Sequence, residues 1–396
     1  MPIPFAQLQA LALGELVERA TQAGVPNAAR LRRTELVFAI AQKLGAQENT
    51  SFGMGVLEVH AEGFGFLRAA QAAFLPGPDD IYVSQSQIRR FHLQTGDTVI
   101  GVVRPPKEGE RYPALLRVET INGEPPGDPA PAFDTLTAIY PDDRLNLSTR
   151  PALRTLDWVA PLGLGQRALL VAPAGTGRTE LLRELVEVFT ADEDLETSVL
   201  LVGERPEDIA EWKAGSRAEI LATGFDDPPA RQVQLADIAF ERARRLAERG
   251  DDVVLVVDSL SRLLRACMAE IPATGREFNG VDVSALHRLR RYLGAARALE
   301  EGGSLTVIGT LTGDGDSRID RALREELSEA ANWTVTLSRA LADRGLRPPI
   351  DARSSGTLRP ERLLTPAEVT ARTAWRRGLT GDPLEDLTSA IEASQS

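Results

Sequence analysis

Apolar residues in FAQLQALALGELVERATQAG, residues 5 to 24, recur at helical spacing, and the GVP that follows interrupts them. NAARLRRTELVFAIAQKLG is a second, basic amphipathic stretch, so residues 1 to 48 read as a small helical N-terminal domain. The pattern then changes. FGMGVLEVH, GFGFLRA, DDIYVS, DTVIGVVRPP and YPALLRVETI are short alternating or apolar runs punctuated by Gly, Pro and Asp. Five such strands within residues 49 to 122 predict a small five-stranded barrel. NGEPPGDPA, residues 123 to 131, reads as a linker. From 132 to 396 apolar strands alternate with helices: ALLVA, TELLRELVEVFT, SVLLVGE, DDVVLVVDS, SALHRLRRYLGAARALEEG and LTVIGTLT. That alternation predicts an α/β domain with a parallel sheet and helices on both faces. The tail LTSAIEASQS is expected to fray.

Composition narrows the class. With 43% hydrophobic and 26% charged residues the chain is an ordinary soluble globular one. Its start lacks the charged n-region of a signal peptide, and no apolar run reaches the roughly 18 residues of a spanning helix. One cysteine, Cys267, cannot make an internal disulfide, which fits a reducing, cytoplasmic setting. The net charge of -12 argues against a general nucleic-acid coat. Residues 1 to 124, however, hold 12 basic and 13 acidic side chains, so the front of the chain can present a local basic strip. Only Lys43, Lys107 and Lys213 occur beside 42 arginines, a bias that would carry many lysine positions to arginine.

Two stretches carry chemistry. In GFGFLR, Phe64 and Phe66 are two apart and share one face of a strand. On the outside of a barrel they would form a stacking platform for unpaired bases, extended by Tyr82 and Tyr112, with Glu110 and Arg111 able to read base edges. The competing reading puts both rings in the core; the flanking Gly63 and Gly65, which let a ligand approach the backbone, favour the platform. The second stretch, LLVAPAGTGRTELL, is strand, Gly-rich loop and helix, the context of a phosphate-binding loop. Its basic residue is Arg178 where the G-x-x-x-x-G-K-[ST] pattern has lysine, and Ala172 stands at the first glycine. Thr179 and Asp258, the latter ending an apolar strand, are candidate ligands for Mg²⁺, and Glu204 is placed to orient or deprotonate an attacking water. The histidines show no metal spacing.

GVLEVHAEGFGFLR, the FLPGPDDIYVS to EGERYPALL region, the GERPED run and VDVSALHRLRRYLGAARALEEGGSL together resemble the Rho family of bacterial transcription termination factors, nearly from end to end. The resemblance implies an OB/cold-shock-like RNA-binding barrel joined to a P-loop, RecA-like ATPase core. It implies a homohexamer that binds nascent single-stranded RNA, hydrolyses ATP with Mg²⁺, translocates as a helicase and releases RNA polymerase. The primary RNA contacts would be Gly63, Phe64, Gly65, Phe66, Leu67 and Arg68, then Asp80, Ile81 and Tyr82, then Glu110, Arg111 and Tyr112. The ATP pocket would use Gly163, Leu164, Gly165, Gln166, Arg167 and Ala168, the loop Gly175, Thr176, Gly177, Arg178, Thr179 and Glu180, and Arg205. The catalytic glutamate matches Glu204 and the metal-anchoring aspartate Asp258.

The departures cluster. The central-pore RNA loops match Arg276 to Gly280, with Glu277, Phe278 and Asn279, and DGDSR, where Arg318 stands for lysine and Asp316 for glycine. The arginine-finger segment reads DARSSGTLR, with Ser354 at the finger position and Arg353 one place early. An altered loop lysine, finger and pore beside an unaltered outer platform imply retained RNA binding and a changed motor. The alternative to the translocase is therefore a catalytically weak RNA-binding relative; a rotary ATP synthase-type subunit shares the core but not the base-stacking barrel.

Overall fold

The computed structural model describes residues 5–47, 49–270, 274–313 and 317–395. It divides into two compact units: Met1–Pro131 with Asp237–Leu246, and Ala132–Ala236 with Ala247–Ser396.

In the first unit, helices Phe5–Gln9, Leu13–Gln22 and Arg33–Gln47 turn one apolar face inward. Leu8, Leu16, Leu36 and Ile40 are fully buried, and the same core takes in Phe52 and Ile100 of the barrel. Phe5 meets Phe52 edge to face, with ring centroids 5.4 Å apart. The barrel strands are β1 (Phe52–Val59), β2 (Gly65–Arg68), β3 (Ile81–Val83), β4 (Thr98–Arg104) and β5 (Ala114–Ile121). They close into the five-stranded barrel that the five alternating runs predict, in the order β1-β2-β3-β5-β4. The two-residue period sends Leu57, Leu67, Ile81, Val99 and Leu115 into the barrel core. It leaves the row Glu58, Phe66, Tyr82, which pair directly across three strands, on the outside. At Gly101 the backbone of β5 passes so close that a Cβ would lie 2.2 Å from the Arg117 carbonyl oxygen. A bulge there bends the pair and lets the barrel close.

The second unit is a nine-stranded sheet and an Asn-Gly hairpin. Its strands are β6 (Ala138–Ile139), β7 (Arg167–Val171), β8 (Leu195–Glu204), β9 (Glu219–Gly224), β10 (Asp252–Asp258), β13 (Arg297–Leu299), β14 (Ser304–Leu311), β15 (Trp333–Thr336) and β16 (Gly356–Thr357). The hairpin is β11 (Glu277–Phe278) and β12 (Val281–Asp282). Strands β15, β7, β14, β10, β8 and β9 run parallel in that order. Every residue of β14 is buried, as expected of a parallel strand covered on both faces. Helices Pro151–Val159, Arg178–Phe189 and Pro383–Gln395 contribute Leu156, Leu182, Leu185 and Leu387 to the core. The expectation of a frayed tail is thus corrected. Residues 387–395 of LTSAIEASQS belong to the last helix, and Leu387 and Ala390, three apart, are fully buried. Among the described residues no helix is long and apolar enough to cross a membrane.

Candidate nucleic-acid interface and nucleotide site

The outer face of β2 and β3 carries a continuous aromatic cluster. Phe66 lies 5.8 Å from Phe64, 6.0 Å from Tyr82 and 5.1 Å from Tyr112 between ring centroids. Phe64 and Phe66 are half-buried and Tyr82 is 37% exposed, so the rings pack on one another rather than in the core. His60 stacks on Phe64 at 5.1 Å with planes 10° apart, and its Nε2 is buried without a hydrogen-bond partner. Sequence reasoning missed His60. The signal is its place across a tight turn: His60 N–H donates to the Phe64 carbonyl, and Gly63 at φ +86° closes the turn.

Beside the rings a 450 Å³ cleft is lined by Tyr82, Arg104, Glu110, Arg111, Tyr112 and Leu116. Arg104 donates to both Glu110 oxygens at 2.5 and 2.9 Å, and the Lys107 N–H adds a third bond. This holds the Glu110 carboxyl at about 2, ionised wherever the protein would meet nucleic acid. Leu67 and Ile81 are core residues. Arg68 and Asp80 are buried partners, and Arg68 also pairs with Glu58 at 2.6 Å while its guanidinium lies 5.0 Å from the centre of the Phe66 ring. Of these four, expected as contacts, the two-residue period turns Leu67 and Ile81 inward, whereas Arg68 and Asp80 share the parity of Phe66 and Tyr82 and are buried by pairing with each other beside the platform.

In the second unit, β7 enters the loop at Ala172 and the helix Arg178–Phe189 leaves it. Gly177 caps that helix at φ +78°. The free amides of the first helical turn and the helix dipole create an anion site there. Asp258 ends β10 and Glu204 ends β8, so loop, aspartate and glutamate share the carboxyl edge of the parallel sheet, where such folds bind ligands. Each acid is tied to an arginine. Arg178 Nη2 lies 3.4 Å from Asp258 Oδ1, which also accepts the Thr310 hydroxyl at 2.9 Å. Arg262 donates to Glu204 at 2.5 Å and to the Val202 and Gly203 carbonyls. Two further arginines stand over the loop. Arg339 donates to the Ala174 carbonyl at 2.6 Å and occupies the space a Cβ on Gly175 would need. Arg347 reaches beside Gly177, as does the Glu180 carboxylate. Arg262, Arg339 and Arg347 have no local motif, and only the sheet order brings them here.

The comparisons with known proteins follow the same division. The Rho termination factor RNA-binding domain family matches residues 53–127, its N-terminal domain family residues 7–49, and the ATP synthase alpha/beta nucleotide-binding domain family residues 152–357. A transcription termination factor Rho of Haemophilus influenzae is 46% identical over 357 residues, 88% of this chain and 85% of that protein. The chain belongs to the Rho family. The Rho factor of Escherichia coli K12 is 42% identical over 375 residues, 92% and 90% of the two chains. Among solved structures, an ATPase of a bacterial type III secretion system matches with TM-score 0.54 at 22% identity, covering 66% of this chain and 87% of its own. An ATP synthase subunit of Nanoarchaeum equitans matches with TM-score 0.55 at 18% identity, covering 65% and 67%. At those identities the likeness speaks for the core fold alone.

Gly163 to Ala168 do not join the loop, because β7 carries the chain away from them before the loop begins. Gln166 is buried and accepts the Gly163 N–H, Arg167 donates to the Ala330 and Ala296 carbonyls, and Ala168 is core, so they anchor the far end of that strand. Arg205 is exposed beside Glu204 at the start of helix Pro206–Gly215. The hairpin turn Asn279-Gly280 exposes Phe278, and the Asn279 amide donates to Glu325 on helix Arg318–Ser328, the helix that Arg318 opens. Asp314 and Asp316 lie outside the described residues. Ser354 and Arg353 are exposed, with the Ser354 hydroxyl donating to Asp351 at 2.8 Å.

Proposed function

We propose that this chain is an RNA-binding transcription termination factor that couples single-stranded RNA to ATP hydrolysis and acts on RNA polymerase as a homohexameric translocase. The observation that carries the reading is the aromatic cluster of Phe64, Phe66 and Tyr82 on the outer face of a Rho-type barrel. Base–ring stacking tolerates any sequence, and the cleft with Glu110 and Arg111 adds donors and acceptors for a base edge. The ATPase side rests on the loop, Asp258 and Glu204 at one sheet edge. Glu204 would orient the attacking water, with Arg262 holding its carboxylate in place. Fluorescence anisotropy with a labelled single-stranded RNA tests the RNA site. Phe64→Ala is expected to weaken binding by about 1–3 kcal/mol. A folded variant with unchanged affinity would remove the platform from the proposal.

One observation favours a second reading, a catalytically weak RNA-binding relative. The carboxylate expected to serve a metal ion is already paired with Arg178. RNA binding without RNA-dependent ATP turnover would select that reading.

A further inference from the structure

The ion pair between Arg178 and Asp258 sits where a phosphate loop meets its metal ion. Asp258 is buried, its side chain 2% exposed, and a buried carboxylate needs a counter-charge. Arg178, 3.4 Å away and 18% exposed, supplies it. Magnesium demands a near-octahedral oxygen shell at about 2.0–2.1 Å and keeps several of its waters. The donors expected for it, Thr179 and Asp258, come with a permanent cation already against the carboxylate. A doubly charged ion placed on Asp258 would be repelled by that guanidinium. The donor set therefore does not fit a firmly held Mg²⁺.

We propose that Arg178, seated on Asp258, takes the place of the divalent cation, so that the loop binds the polyphosphate of a nucleotide without a metal ion. This rests on the nucleotide-site reading above. A guanidinium carries five N–H donors in a rigid fork, so one edge can hold Asp258 while another meets phosphate oxygen. Arg178 Nε is buried with no hydrogen-bond partner, so Asp258 alone does not satisfy the fork. Arg339 over Gly175 and Arg347 beside Gly177 add positive charge around the same loop. Lysine at this position would be a point charge that meets phosphate but cannot bridge to Asp258 with a planar fork.

Isothermal titration of the full chain with ADP and with a non-hydrolysable ATP analogue, in excess MgCl₂ and then in excess EDTA, tests this. The parent Kd values are expected to agree within about threefold, and those of Arg178→Lys to weaken by about tenfold or more in EDTA. A parent that loses about tenfold in EDTA overturns the proposal and leaves the nucleotide site standing. A variant as indifferent to EDTA as the parent overturns the assignment to Arg178. No binding in either buffer, by protein that circular dichroism shows to be folded, overturns the nucleotide site and the proposal together. The parent comparison decides by itself should the variant not fold.

Discussion

The barrel and the nucleotide site both contain arginine–carboxylate pairs, and they use them in opposite ways. In the barrel, Arg68 lies buried between Glu58 and Asp80, beside the ring of Phe66. The pair is structural, and the surface beside it stays open to a ligand. In the ATPase unit, Arg178 and Arg262 hold Asp258 and Glu204, the side chains expected to do the chemistry. The same interaction supports a surface in one region and occupies the working groups in the other. What a salt bridge does is set by what its carboxylate would otherwise do.

The sharpest way to break that contrast is Glu204→Gln. Loss of a positioned general base is expected to lower RNA-dependent ATP turnover by about 10²–10⁴-fold. Unchanged turnover would make the Arg262 pair as structural as the Arg68 pair. Next is Asp80→Ala, which leaves Arg68 buried with only Glu58. It is expected to cost about 3 kcal/mol in urea unfolding, the low end for breaking a buried pair. A loss under about 1 kcal/mol would place Arg68 among weak surface pairs. Arg178→Lys, which frees Asp258 to serve a metal ion, is expected to raise turnover in excess MgCl₂, by up to about a hundredfold. A variant slower than the parent would show arginine to be the better residue in this site.

The smallest effect is a titration. The Arg104 side chain, followed by the Lys107 N–H, holds the exposed Glu110 carboxyl at about 2, below the roughly 4.3 of an unfolded glutamate. A depressed folded value stabilises above the unfolded pKa and ceases to do so as the pH falls through the folded one. The stabilisation is therefore complete above about pH 4.3 and disappears toward pH 2. NMR titration of Glu110 should place its midpoint near 2; a midpoint in the ordinary range would mean that Arg104 does not hold it in solution.

The barrel was legible because alternation encodes it directly. Phe64, Phe66 and Tyr82 are period-two positions outside a core of Leu57, Leu67 and Ile81, and the structure pairs them as the pattern requires. The same period would have excluded Leu67 and Ile81 as contacts, since their neighbours face outward. The loop, Asp258 and Glu204 were legible because each ends an apolar strand. Their arginine partners were not. Arg262, in the first turn of helix Leu260–Glu270 after β10, meets Glu204 at the end of the neighbouring β8, and Arg178 meets Asp258 past β14, which lies between β7 and β10. Those encounters follow from strand order, which no local pattern in this chain specifies. The tail misled for the opposite reason: its polar surface hid Leu387 and Ala390, which dock the helix with Leu384 and Ile391 beside them.

The most direct test of the account is ATP hydrolysis by the full chain, with and without single-stranded RNA, for the parent and for Phe64→Ala. The account predicts turnover that rises on adding RNA, with Phe64→Ala needing more RNA to reach the same rate. Turnover indifferent to RNA, or absent while RNA remains bound to the barrel, would contradict the coupling of the two regions.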